Sequence, residues 1–156
     1  MLSRWGGARD NARVLPLDAD LLPRTVLVRA GVEDVEWTLL PTRPQAEWSM
    51  TLVGPDQTWT GTGGNCFASL RDLRIKLDTQ RLRIGLNGAR PECTVSGMLA
   101  DMGEGRSVYV LVIGAQGRPD TLRTLDPAPL DAVGSVAEQD AFAERWLAER
   151  RSQPQG

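Results

Sequence analysis

A chain of 156 residues is the size of one domain and can bury about two thirds of its unfolded surface, and a formal net charge of −2 is too small to point to nucleic acid or an anionic membrane. Histidine is absent, which removes the commonest general base, the usual activator of serine or cysteine and the commonest metal ligand. Triad hydrolysis, catalytic zinc and any resident cofactor or metal are therefore not expected, and Cys66 and Cys93 are too few for a disulfide scaffold, although a single bridge stays open.

Taken in order, residues 1–23 mix charge with scattered leucines between Pro16 and Pro23 and predict a partly irregular arm. The first residues lack the apolar core of a secretory signal and no stretch reaches membrane-spanning length, so a cytoplasmic location is expected. Strands are predicted over 25–29, 35–40 and 47–53, with a hairpin at 31–34, a turn at 54–57 and a short edge strand at 58–60. Trp37, Trp48 and Trp59 recur at meander spacing; core or half-buried positions on an antiparallel sheet explain them better than an aromatic cage.

A helix over 66–80, capped by Asn65, carries Phe67, Leu70, Leu73 and Leu77 on one stripe and places Arg71, Arg74 and Asp78 away from it. Residues 82–87 alternate as a strand, and residues 107–113 form the most apolar run of the chain, which predicts a central strand covered on both faces. Between them, 88–106 is too long for an idle connection. Within it, Ser96 can cap one helical turn that Gly103 stops, placing Met98 and Met102 on the same side. A short strand at 121–125 and a final helix complete the chain. That helix opens on a capping box, Ser135 with Glu138; Val136, Gln139, Phe142, Trp146 and Leu147 make its buried stripe, and 152–156 should fray. The expected class is α+β: one globular domain with an antiparallel or mixed sheet and two main helices packed mainly on one face.

Chemistry-bearing patterns are weak. Gly61, Gly63 and Gly64 before Asn65 resemble an anion loop but lack its lysine, so a turn with a cap is the plainer reading. Cys66 at the helix start has no visible base and reads as a buried structural thiol, whereas Cys93 lies in the long loop, open to exposure. Glu33, Asp34 and Glu36 cluster at the first hairpin as a solvated turn or a small acidic patch for a basic partner. Arg71, Arg74, Lys76, Arg81, Arg83 and Arg90 make a locally basic stretch that is read as a solvated face, which leaves nucleic acid an improbable partner. The loop's Met98 and Met102, flanked by Asp101, Glu104 and Arg106, either plug the core or offer an adaptable surface for a protein.

The series Asn87-Gly88-Ala89-Arg90, Ser96-Gly97-Met98, Asp101-Met102-Gly103-Glu104-Gly105-Arg106 and Tyr109-Val110-Leu111 resembles a family of small, largely uncharacterised bacterial proteins. The likeness spans 65–151, and it departs from the family pattern at Val95, where proline is usual, and in the few bulky residues of the strand before the loop. It implies an association with interbacterial toxin systems and carries no catalytic residue.

The leading expectation is a non-catalytic immunity protein that occludes the active site of a cognate toxin, with no membrane or metal involved. Its interface would use Arg90, Met98, Asp101, Met102, Glu104 and Arg106, with Glu33, Asp34 and Glu36 as a second contact. One alternative is an enzyme acting on a nucleotide or similar anion, with Arg90, Arg106 and Glu104 converging in a pocket. The other is an effector-specific chaperone or adaptor, which would expose an apolar groove.

Overall fold

Alternating apolar residues in the first half of the chain bury one face of a sheet and wet the other. In a computed structural model, which describes residues 17–153, this pattern makes an antiparallel five-stranded sheet in the order β4-β3-β2-β1-β5. Its strands are β1 (Arg24–Ala30), β2 (Glu33–Thr42), β3 (Trp48–Val53), β4 (Thr58–Gly63) and β5 (Leu82–Ile84). On β3, Trp48, Met50 and Leu52 are fully buried while their neighbours face outward, and Val26, Val28 and Leu39 join them from β1 and β2. The ends of this pattern are local too: Gly31 turns β1 into β2 with φ +67°, and β4 forms the outer edge.

Helix α1 (Cys66–Asp78) lies on the buried face, against β4, β3 and β5. Its stripe of Leu70, Leu73 and Leu77 is sealed, and the Asn65 side chain accepts from the Ala68 N–H at 2.8 Å as the predicted cap. A Cβ on Gly61 would overlap the backbone of Ser69 and Leu73, so glycine lets helix and edge strand approach closely. Trp37 and Trp59 stack with centroids 5.4 Å apart and 14° between planes, covering each other's faces rather than framing a cage.

The second half builds a smaller antiparallel sheet, β6-β7-β8, from β6 (Cys93–Thr94), β7 (Ser107–Val110) and β8 (Asp120–Arg123). The short helix α2 (Gly97–Asp101) rises between β6 and β7, and α3 (Val136–Ser152) packs against α1 and β6. The α+β class holds, with the described sheets antiparallel throughout.

Three expectations change here. β7 is the middle strand of the small sheet, not a strand buried on both faces: it ends at Val110, Val108 joins a small core cluster with Phe67 and Cys93, Tyr109 and Val110 are half-buried, and Val112 beyond the strand is 56% exposed. Cys93 is fully buried rather than accessible, because β7 and α3 close over it, and both cysteines are free thiols. Arg74, expected to lie away from the apolar stripe, is only 2% exposed. Residues 1–16 and 154–156, most of the expected arm and tail, lie outside the described residues; no described helix is long and apolar enough to cross a membrane.

Candidate binding groove beside the central loop

The stem of the 88–106 excursion is fastened from within. Arg74 donates to the carbonyls of Gly88, Ala89 and Gly134 and to Gln139 Oε1, and Gln139 Nε2 donates to the carbonyls of Gly88, Arg90 and Cys93. No carboxylate pairs with Arg74 among the described residues; carbonyl dipoles solvate its charge, and burial pulls its pKa down to about 10, so it stays cationic at neutral pH. A polar pair thus ties α1, α3 and the loop stem together.

The returning end of the excursion is fastened by charge. Gly105, at φ +65°, lies against Asn65 and Phe67, and the Cys66 N–H donates to the Glu104 carbonyl at 2.7 Å. The Cys66, Ala68 and Ser69 amides that open α1 are thereby used internally, which makes the glycine-rich stretch before them a turn with a cap. Arg106 binds Asp18 at 2.6 Å and Asp20 at 3.0 Å, approaches Glu104 at 3.6 Å and stacks over Trp48 at 4.9 Å. The Arg106 hydrogen bond holds the Asp18 carboxyl below its ordinary range. Arg43 reaches Glu104 at 2.6 Å, and Arg123 also pairs with Asp20. Behind this network Cys66 is buried, and desolvation pushes its thiol up to about 12; Cys93 goes the same way, also to about 12. Both stay protonated and unsuited to nucleophilic work.

Between these two anchors the excursion turns outward. The Ser96 hydroxyl accepts from the Leu99 N–H at 3.2 Å and caps α2, while Met98 and Met102 stand 67% and 82% exposed with Asp101 beside them. Of the residues named from sequence, the structure brings Glu104 and Arg106 together but not Arg90, which pairs with Glu92 at 2.7 Å. Glu33, Asp34 and Glu36 are exposed on the first hairpin, where Arg29 links Asp34 to Asp131, both at 2.8 Å. The basic stretch is largely used up as well: Arg71 pairs with Asp140, Lys76 with Asp72 and Arg83 with Asp78.

Next to α2 lies a feature that sequence reasoning missed. The C-terminal half of α3 stands off the small sheet and leaves a groove of about 620 Å³, with Val95 and Ser96 at its α2 end, Tyr109 and Leu111 on its floor and Trp146 and Leu147 along α3. Its size and apolar lining are those of a ligand or peptide site. One signal was legible: Arg150 sits four and three residues after Trp146 and Leu147, so its helical neighbours are apolar where an ion-paired arginine would have a carboxylate. Its guanidinium does stack over Trp146, at 4.9 Å.

The fold and this surface define an antiparallel α+β protein with a fixed outward loop and an open apolar groove. No protein-family model matches the chain, and no curated protein matches it.

Proposed function

We propose that the protein is a non-catalytic binding protein, an immunity protein that acts in the cytoplasm and blocks a cognate bacterial toxin by covering its active site. The observation that carries this reading is the exposure of Met98 and Met102 on a helix whose two stems are pinned by the Arg74–Gln139 pair and the Arg106 ion pairs. Flexible thioethers on a fixed backbone give apolar contact that adapts to a partner while little backbone entropy is lost on binding. Asp101 beside them adds charge for orientation. The resemblance that this segment bears in sequence, and the association with toxin systems that it implies, suggest the class of partner.

The test is co-expression with the product of the adjacent gene. The two should purify as one complex, and the Met98→Glu/Met102→Glu double variant, folded by circular dichroism, should lose it. A neighbour without a toxin-like domain and without measurable binding would overturn the reading.

The groove favours a second reading, an effector-specific chaperone or adaptor that holds an apolar segment of its client. The readings separate on the partner: an immunity protein leaves it folded and inactive, whereas a chaperone's client loses solubility once released.

A further inference from the structure

Burial fades along α3. Val136 and Gln139 are 7% and 3% exposed, but Leu147, on the same stripe, is 46% exposed. The helix is anchored by its capping box, by Gln139 and by Asp140 on Arg71, all in its first half. Beyond them the helix is held by one exposed side-chain hydrogen bond, from Gln116 Nε2 to Gln153 Oε1 at 3.1 Å, and the stripe is covered in part: Phe142, Ala143 and Trp146 are half-buried and Leu147 is exposed, so apolar area that the sequence pattern provides for burial remains available to another molecule.

The charge around this surface is one-sided. Arg118 and Arg150 line the groove, no carboxylate does, and neither arginine belongs to an ion pair among the described residues, in a chain whose net charge is −2. Both also border a smaller cavity of about 140 Å³ on the other side of Trp146, where Asp120 is the one carboxylate among the lining residues and pairs with neither arginine, so two cations face one anion there and no anion in the groove itself. Arg150 lies over the Trp146 ring and donates no side-chain hydrogen bond among the described residues, which leaves its N–H edge for a carboxylate.

We infer that this groove binds an acidic segment of the protein partner, seating an apolar side chain between Trp146, Tyr109 and Leu111 while a neighbouring carboxylate pairs with Arg118 and Arg150. The inference rests on the reading as a binding protein and names the part of the partner that is held. It also extends the binding face from α2, since Ser96 is both the α2 cap and part of the groove's lip.

The test pans a random peptide display library against the full chain, then titrates one enriched synthetic peptide by fluorescence anisotropy. Enriched peptides should share Leu, Phe or Trp beside Asp or Glu, and replacing that acid by its amide should weaken binding. Arg118→Glu/Arg150→Glu, a surface change that leaves the fold intact, should weaken binding by about ten-fold or more, and Trp146→Ala should abolish it. Absence of enrichment, enrichment of peptides without acids, or affinity unchanged in the arginine variant would overturn the inference. So would a doubling of mass with concentration that Trp146→Ala removes, which assigns the groove to a second copy. A chain ending at Gln153 that binds the peptide far more tightly would also overturn it, by assigning the groove to residues 154–156. If the adjacent gene's product binds both groove variants as tightly as the parent, the groove assignment fails while the binding reading stands; if it binds no version, the binding reading fails.

Discussion

The five-stranded and three-stranded sheets treat apolar surface in opposite ways. In the larger one, Trp48, Met50, Leu52, Val28 and Leu39 meet the Leu70-Leu73-Leu77 stripe of α1, and little of that face reaches solvent. In the smaller one Phe67, Cys93 and Val108 form a closed cluster and Leu111 is buried at the base of an open groove, while Tyr109 is half-buried along it and Val112 meets water. One half of the molecule holds the fold, and the other presents a surface. Helix α3 belongs to both, closed at its start and open at its end, and the Arg74–Gln139 pair marks the boundary.

The largest effect should come from breaking the closed half. Trp48→Ala removes a fully buried side chain, which should cost about 3–5 kcal/mol by urea denaturation, whereas Trp146→Ala at the open groove should cost under about 1.5 kcal/mol. Equal costs would erase the contrast. At the boundary, Gln139→Leu strands the Cys93 carbonyl, takes one of two donors from the Gly88 and Arg90 carbonyls and removes an acceptor from Arg74, a loss of about 2–3 kcal/mol together with faster amide exchange across 88–93. Ser135→Ala, which removes one side of the capping box, should cost about 1 kcal/mol.

The pH response follows from the same contacts. Hydrogen bonds from the Ser135 N–H, from Arg71 and from Arg106 hold Glu138, Asp140 and Asp18 below their ordinary values of 4.5, 3.8 and 3.8. A carboxyl whose folded pKa is lowered contributes stability that is complete above its unfolded value and is lost as pH falls through the folded one. Stability should therefore decline as pH drops below these values, and Glu138→Gln should flatten the decline. A stability that rises on acidification would contradict the pairings. The smallest stability change belongs to the binding face: Met98→Glu and Leu147→Glu should each stay within about 0.5 kcal/mol of the parent in thermal melts.

The closed half was largely legible because its signals are local. Alternation placed Trp48, Met50 and Leu52 on one face, Asn65 marked the start of α1, and Ser135 with Glu138 marked the start of α3. What escaped depends on contacts between distant segments. Arg74 follows Leu70 by one turn at the border of the apolar stripe, and only the arrival of α3 and of the Gly88, Ala89 and Gly134 carbonyls buries it. The apolar run at 107–113 looked doubly buried because every residue after Ser107 is apolar or aromatic, yet the strand ends at Val110, Tyr109 borders an open space and Val112 reaches solvent, with Val108 and Leu111 alone fully covered. Likewise the α2 cap could be read from Ser96, while the groove arises where α3, from Val136 onward, diverges from a sheet whose middle strand ended at Val110.

Hydrogen–deuterium exchange of the protein alone and in complex with the adjacent gene's product tests the central claim most directly. Protection on binding should fall on 96–102 and 142–150, the α2 turn and the open half of α3, with the five-stranded sheet unchanged. Protection confined to the outer face of that sheet, with both segments exchanging as they do in the free protein, would contradict it.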